Sequence, residues 1–412
     1  MKRPASFPNL RHLRMFVAAC ELGSLNAASK ELNVAQPAIS QALMRLEEHY
    51  QASLLLRRTG GSQPTEEGKI LWRRCTRFFR LLQRGIVRAS ERSVAPNLTQ
   101  SNTILARLTA AQIFAHISVS HYGSLLLAAK ADNISVSALH RAIRDIEGNL
   151  GYELYSKTPQ GLAVNRTGTE LARQFRLALR ELVTAEEELK ASDGSLKGRT
   201  LIAALPMVRS TILGKAIART QKQAPELDFV VLEGIYDTML KALRSGEADM
   251  LIGAIRNPAP TSDVVETFLF TDPYSIIARK GHPLDGKDVT IDDLAACEWV
   301  AQQEGTPIRN ALNSLFAGRA KGPRVRIEAP STLLTRSVLL ESDAVAILSV
   351  RQVALEVRVG LLTPLRFQAP IGGRAIGITM RNDWLPSSTQ LFFLKNFYEV
   401  LMEEIEGFQP PK

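Results

Sequence analysis

The feature that most limits how this 412-residue chain can fold is an internal repeat. Gly23-Ser24-Leu25 returns as Gly123-Ser124-Leu125, and the match runs on without a gap for 46 positions at an offset of 100 residues. Identical pairs include Ala28/Ala128, Lys30/Lys130, Asn33/Asn133, Ala38/Ala138, Ala42/Ala142, Glu47/Glu147, Leu54/Leu154, Gly61/Gly161 and Gly68/Gly168. Apolar positions keep step too, as in Ile39/Leu139, Leu43/Ile143 and Leu46/Ile146. Two copies are too few for a solenoid, so the repeat reads as a duplicated small domain.

Within copy one, Leu13, Phe16 and Val17 have helical spacing, and Gly23-Ser24 ends that element. Ser24 can cap a second helix through Ala27, Ala28 and Leu32. Asn33-Val34 makes a short turn, and Pro37 opens a third helix whose apolar face is Ala38, Ile39, Leu43 and Leu46. Two short helices joined by a tight turn form a helix-turn-helix. Leu54–Leu56 and the polar Arg57–Gln63 stretch read as a wing. The next helix has an apolar stripe (Leu71, Cys75, Phe78, Leu82, Ile86) and, roughly opposite, Arg73, Arg77, Arg80, Arg84 and Arg88. Those arginines suit either phosphate contact or a solvated face. After copy two, Leu171, Phe175, Ala178, Leu182, Ala185 and Leu189 form a heptad seam. Between the copies, Ala89–Thr103 is polar without an apolar period and reads as a flexible connector.

From Gly198 onward short apolar runs alternate with helical patterns. Thr200–Leu205, Leu227–Leu232, Asp249–Ala254, Tyr274–Arg279, Trp299–Gln302 and Val345–Ser349 are strand candidates, which predicts an α/β fold with mainly parallel sheets. The formal net charge of +10 is unevenly spread. Residues 1–100 carry 16 Lys+Arg against 7 Asp+Glu, residues 101–198 carry 11 against 10, and residues 199–412 balance at 24 each. A basic first quarter on a neutral remainder suggests a nucleic-acid or acidic partner for the N-terminal end.

Composition excludes collagen-like, disulfide-scaffold and wholly disordered chains. Cys20, Cys75 and Cys297 are far apart and read as reduced thiols. The start has no apolar stretch of signal-peptide length, and no apolar run approaches the ~18 residues of a membrane helix, so a cytoplasmic location is expected. His12, His49, His116, His121, His140 and His282 are scattered, and no hydrolase, metalloprotease or nucleotide-binding motif occurs. No enzyme, cofactor or metal is expected.

GSLNAASKELNVAQPAISQALMRLE, followed by PTEEG, resembles the N-terminal domain of LysR-type transcriptional regulators. LEGIYDTMLKALRSGEADMLIGA and ARKGHPLDGKDVTIDDLAACEWV resemble the effector domain of the same family. GRAIGITMRNDWLPSSTQLFFLKNF resembles the branch with regulators of sugar and aromatic-acid catabolism. The extra copy lies outside the usual layout. The resemblance and the repeat together imply a multidomain α/β protein with two winged helix-turn-helix domains (8–66 and 108–166). A linker helix and flexible connector (67–107), a dimerisation linker helix (167–194) and a two-subdomain, periplasmic-binding-protein-like effector domain (198–412) complete it. By the resemblance the second linker helix pairs two subunits; packing on its own domain is the alternative.

In a helix-turn-helix the second helix enters the major groove, so Gln36, Pro37, Ser40, Gln41 and Arg45 are the base-reading candidates. Arg57 and Arg58 suit phosphates. The expected DNA-binding set adds Ser24, Ala27, Ala28, Ala35 and Thr65. Copy two changes the reader, with Val136 for Gln36, Ser137 for Pro37, His140 for Ser40 and Arg141 for Gln41. Ser137, His140, Arg141 and Arg144 are a possible second DNA-binding set. Copy two is thus either structural or a weaker reader of altered specificity.

Ligands of open α/β sheets sit beyond the carboxyl ends of strands. That points to Pro206, Met207, Val208, Tyr236, Gly253, Ala254, Gly305, Thr306 and Arg309, with Arg209 as a further charged partner. A helix N-terminus at Thr306-Pro307 suits an anionic or polyhydroxy metabolite. The reading is a DNA-binding regulator that senses a small metabolite. The alternative is a constitutive or architectural DNA-binding protein with a vestigial sensor. The partners implied are double-stranded DNA, a small effector and further copies of the chain, as a homodimer or homotetramer, with no membrane.

Overall fold

Copy one begins with α1 (Leu10–Leu22), α2 (Leu25–Glu31) and α3 (Gln36–Tyr50), then the hairpin β1 (Leu55–Arg58) and β2 (Gly61–Pro64), then a long α4 (Glu66–Ser90). After α5 (Leu98–Arg107) the same order returns as α6 (Ala110–Tyr122), α7 (Leu125–Asp132), α8 (Val136–Leu150), β3 (Tyr155–Thr158), β4 (Gly161–Val164) and α9 (Arg166–Lys190). The computed structural model describes residues 7–58, 61–90, 98–159, 161–191, 196–205, 212–256 and 258–410. The chain divides into two units, Met1–Arg199 and Thr200–Lys412.

The repeated residues do the same physical work twice. Gly23 and Gly123 end α1 and α6 at φ 64° and 67°, and Asn33 and Asn133 take positive φ in the turn. Both residue types tolerate that left-handed conformation. Glu47 and Glu147 each accept the backbone N–H seven residues further on, from Leu54 and Leu154, at 2.8 Å. A β-carbon on Gly68 or Gly168 would lie 2.0 or 2.4 Å from the Leu54 or Leu154 carbonyl oxygen, so only glycine lets the hairpin meet the long helix. Thr65 and Asn165 cap those helices through the N–H of Gly68 and Gly168, both at 2.8 Å.

Part of the expected connector is helical. Residues 98–107 form α5, whose Ser101 and Asn102 side chains accept hydrogen bonds from Gln83 on α4. Leu105 and Leu108 are buried there. Their apolar period lies mostly beyond Thr103, outside the polar window that suggested a flexible chain; residues 91–97 lie outside the described residues.

The heptad seam of α9, which the resemblance assigned to a second subunit, is filled in this chain by its own α4. The helices run antiparallel: Arg74 meets Glu188, Arg77 meets Glu181 and Arg88 meets Glu170. Leu71, Cys75, Phe78, Leu82 and Ile86 join Leu171, Phe175, Ala178, Leu182, Ala185 and Leu189 in one core that runs from Leu10 to Leu189. Across the copies Phe7 and Phe114 meet edge to face at 5.1 Å, and the Tyr152 hydroxyl donates to the Ile86 carbonyl. Of the arginine stripe, Arg77 is largely buried on Glu181 of α9, while Arg73 and Arg88 are exposed and reach Glu188 and Glu170 at 3.4 and 3.8 Å.

The second unit runs β5 (Gly198–Ala204), α10 (Ile212–Gln223), β6 (Leu227–Glu233), α11 (Tyr236–Ser245), β7 (Met250–Ala254), β8 (Val264–Arg279) and β9 (Asp288–Val289). It continues through α12 (Ile291–Ala296), β10 (Glu298–Ala301), α13 (Pro307–Leu315), β11 (Arg324–Glu328), α14 (Thr332–Glu341) and β12 (Ala346–Ser349). A 3-10 turn leads to α15 (Ala354–Arg358), β13 (Leu362–Pro364), β14 (Arg366–Phe367), β15 (Gly373–Arg381) and α16 (Ser388–Glu404). Strand alternation sorts the cores. Ile202, Ala204, Met250 and Ile252 face α10 and α16, while Ala203, Leu205 and Leu251 face α11.

The main sheet has the order β12-β8-β15-β7-β5-β6. β5–β7 is parallel, but β7–β15, β15–β8 and β8–β12 are antiparallel, which corrects the expectation of mainly parallel sheets. The cause is β8. It leaves the first lobe at Leu269-Phe270, enters the second at Tyr274 and Ile276, and the chain returns along it as β15.

Candidate DNA interface and effector cleft

The N-terminal part of α3 presents Gln36, Pro37, Gln41 and Arg45 to solvent, with Ser40 half-buried and Ala35 exposed at the N-cap. Ile39, Ala42, Leu43 and Leu46 hold the opposite face in the core. The reading face is therefore polar because the other face must be apolar. Ala27 is half-buried beside it. Three of the expected contacts have internal roles as well. Ala28 is fully buried, Ser24 caps α2 through the Ala27 N–H, and Thr65 caps α4 and donates to the Ser53 carbonyl at 2.6 Å. Arg57 and Arg58 lie on β1, and their side chains are outside the described residues.

On α8 the side chains of Ser137, His140, Arg141 and Arg144 are likewise exposed. Their setting differs from copy one. Asp145 stands where Arg45 does, and Leu126, Leu127 and Val136 are exposed where copy one has Asn26, Ala27 and Gln36. Exposed apolar side chains offer bases only thymine-methyl contacts.

Inside copy two lies a polar pair that sequence reading missed. His116 is fully buried; its Nδ1 accepts from the Tyr155 hydroxyl at 2.7 Å and its Nε2 donates to the Gly168 carbonyl at 2.9 Å. Burial pulls its pKa down to about 4. Phe16 and Leu55 occupy the corresponding positions in copy one, and that mismatch within the repeat is the signal that was available.

In the second unit, the expected effector residues fall into two groups. Pro206, Met207, Val208 and Arg209 lie outside the described residues. Tyr236 opens α11; its hydroxyl donates to Glu266 at 2.7 Å, and the Arg256 guanidinium lies 4.1 Å above its ring. Burial, then Glu266, raises the Tyr236 pKa. Ala254 ends β7 two residues before Arg256. Gly253 is a packing residue, because a β-carbon there would lie 2.6 Å from Leu205. In the other lobe Gly305 turns at φ 79° into α13, where Thr306 caps the Arg309 N–H. Arg309 itself is engaged by Glu304, Glu328 and the Gln302 carbonyl. Two carboxylates beside this helix start weaken it as an anion site. The hollow next to Arg309, lined by Ala301, Ile308 and Leu312, has about 10 Å³, room for roughly one water.

Where the lobes join, sequence reading missed a second polar cluster. Asp272 is 2% exposed and accepts from Ser349 Oγ at 2.6 Å. Arg351 and Arg374 hold their guanidinium nitrogens 3.8 Å from it, and Arg374 donates to Gln352 at 3.0 Å. Burial lowers the Arg374 pKa. The sequence signal is an Asp-Pro pair between the apolar runs Phe268–Phe270 and Ile276–Ala278 of β8.

Cys20 and Cys75 are buried free thiols; burial pushes Cys20 up to about 12 and raises Cys75 as well. Among the described residues no group of side chains could hold a metal ion, and no helix is long and apolar enough to cross a membrane.

Comparison with known proteins matches residues 10–69 to the bacterial regulatory helix-turn-helix protein family of LysR type, and residues 193–397 to the LysR substrate binding domain. The transcriptional regulator GalR of Pseudomonas putida is 29% identical over 400 residues, 96% of this chain and 98% of that protein. That match spans both copies of the repeat. A full-length OxyR variant from Pseudomonas aeruginosa superposes with a TM-score of 0.53 at 18% identity, covering 71% of this chain and 94% of that one. Full-length CbnR in complex with target DNA superposes at 0.50 and 16% identity, covering 71% of this chain and 98% of its own. These relatives are regulators, not enzymes. The two LysR models together take in well over half of the sequence, and the chain belongs to the LysR family of helix-turn-helix transcriptional regulators.

Proposed function

We propose that copy one binds DNA through the N-terminal face of α3, with Gln36, Pro37, Ser40, Gln41 and Arg45 on base edges. Arg57 and Arg58 would sit on phosphate. The supporting observation is the exposed polar face of α3 on a unit that carries most of the chain's positive charge. CbnR, of similar fold, has been captured with its target DNA. Copy two is proposed as a second winged helix-turn-helix with a weaker reader. The 200–412 unit is proposed to bind a small anionic or sugar-derived metabolite between its lobes, in the cytoplasm and within an assembly of chains. Support comes from register. Ala254 at the end of β7 pairs with Ile376, opposite Phe270, and Ser349 at the end of β12 pairs with Tyr274. Strand ends from both lobes thus meet at one short stretch of β8, where a ligand touching both would favour one arrangement. The experiment is a duplex-binding titration at fixed salt, with and without candidate sugars and organic acids. Loss of affinity on Gln41→Ala and a ligand-dependent footprint are expected. A footprint that no metabolite alters would overturn the sensing half.

A further inference from the structure

We propose that each chain is by itself a complete two-reader DNA-binding body, and that its DNA site is asymmetric. This rests on the reading of copy one as a DNA reader and goes beyond it. The argument begins with charge. On the α4–α9 seam the cations come from α4 and the carboxylates from α9. Arg74, 1% exposed, donates to both oxygens of Glu188 at 2.8 and 2.9 Å and to Glu181 at 2.9 Å, while Arg77 donates to Glu181 at 3.0 Å. The repeat offset shows what self-pairing would do. Position 88 of α4 corresponds to 188 of α9, so an α4–α4 pair sets Arg74 against Arg88. An α9–α9 pair sets Glu188 against Gln174 and Glu181 against Leu177, leaving buried carboxylates without a cation.

Shape gives the same answer. A β-carbon on Gly85 would lie 2.9 Å from Gln174 Cβ, so this approach needs glycine, and α9 has Ala185 at the matching place. The seam therefore selects α4 with α9. Within one chain the partners are already delivered. α5 is bonded to α4 through Gln83, and copy two joins copy one in a single core. The two reading faces are then fixed on one body but are unlike. Gln36, Gln41 and Arg45 on one side correspond to Val136, Arg141 and Asp145 on the other. Unlike faces cannot favour two equal half-sites.

The test uses the unsubstituted full chain. The antiparallel register sets Lys69 opposite Lys190, both more than half exposed. An amine cross-linker on an equal mixture of unlabelled and 15N-labelled chains should join these lysines only within light or within heavy chains. Mixed light-heavy peptides, or no Lys69–Lys190 link, would overturn the proposal. In parallel, selection from a random-sequence duplex pool should return a motif without inverted-repeat symmetry. Gln41→Ala should weaken binding about tenfold and relax one half, while Arg141→Ala changes only the other half. A palindromic motif, or a motif read through copy one alone, would sink the proposal while leaving copy one a reader. Absence of any DNA binding would instead sink the reading on which it rests.

Discussion

Copies one and two have one framework and two different interiors and surfaces. Backbone-defining residues are shared: the left-handed Gly23/Gly123 and Asn33/Asn133, the Gly68/Gly168 contact and the Glu47/Glu147 hydrogen bond. Where side chains face solvent or one another, the copies part. Phe16 and Leu55 become a buried His116–Tyr155 pair, and the polar face of α3 becomes partly apolar on α8. The difference teaches that a fold is held by the few positions with steric or hydrogen-bonding demands no other residue meets. Surface chemistry is free to diverge.

The largest expected effect breaks the seam between the copies. Arg74→Ala would leave the largely buried Glu188 with only the half-exposed Arg73, and Glu181 with only Arg77. It should cost about 3–5 kcal/mol of the first unit's stability, read by urea unfolding. Burial works against the Arg74 charge, but the two glutamates outweigh it and raise its pKa. A loss below about 1 kcal/mol would mean that apolar packing alone holds the seam.

Next comes acid sensitivity confined to copy two. The folded pKa of His116 lies below its ordinary 6.5, so stability is fully present above pH 6.5 and falls as pH drops toward about 4. The full loss is on the order of 3 kcal/mol. Installing copy one's residues, His116→Phe with Tyr155→Leu, should flatten that dependence in urea melts run from pH 7 to pH 4. An unchanged slope would locate the titration elsewhere.

On the reading faces, Gln41→Ala should cost roughly 1–3 kcal/mol of DNA affinity and Arg141→Ala less, measured by anisotropy at one salt concentration. The reverse order would make copy two the principal reader. Smallest is the cap exchange. Asn165→Ala should cost about 1 kcal/mol in thermal unfolding, whereas Asn165→Thr, which restores copy one's residue, should cost only a few tenths.

Much of this was legible from residues alone. Gly23, Asn33, Pro37 and the i, i+3, i+4 apolar spacing of α3 locate three helices and the turn between them, because those signals act within a few residues. The polar face of α3 follows from the same spacing. What escaped was long-range. Arg74 and Glu188 are more than a hundred positions apart, so no local pattern pairs them. Arg309 read as a free cation because its partners Glu304 and Glu328 arrive from a loop and another strand. Asp272 went unnoticed in the sequence, since its partners Ser349 and Arg374 come from β12 and β15.

By itself the sequence determined the 100-residue repeat, the helix-turn-helix frame, the basic first quarter and the alternating α/β half, all of which rest on local spacing and composition. Only the tertiary structure decided that α9 pairs with α4 of its own chain, that β8 runs through both lobes with β15 returning along its first half, and which carboxylates engage Arg74 and Arg309. Those outcomes depend on contacts between distant segments. A heptad seam specifies an apolar partner but not whose helix supplies it; the choice falls to charges and close approaches that exist only once the helices lie side by side.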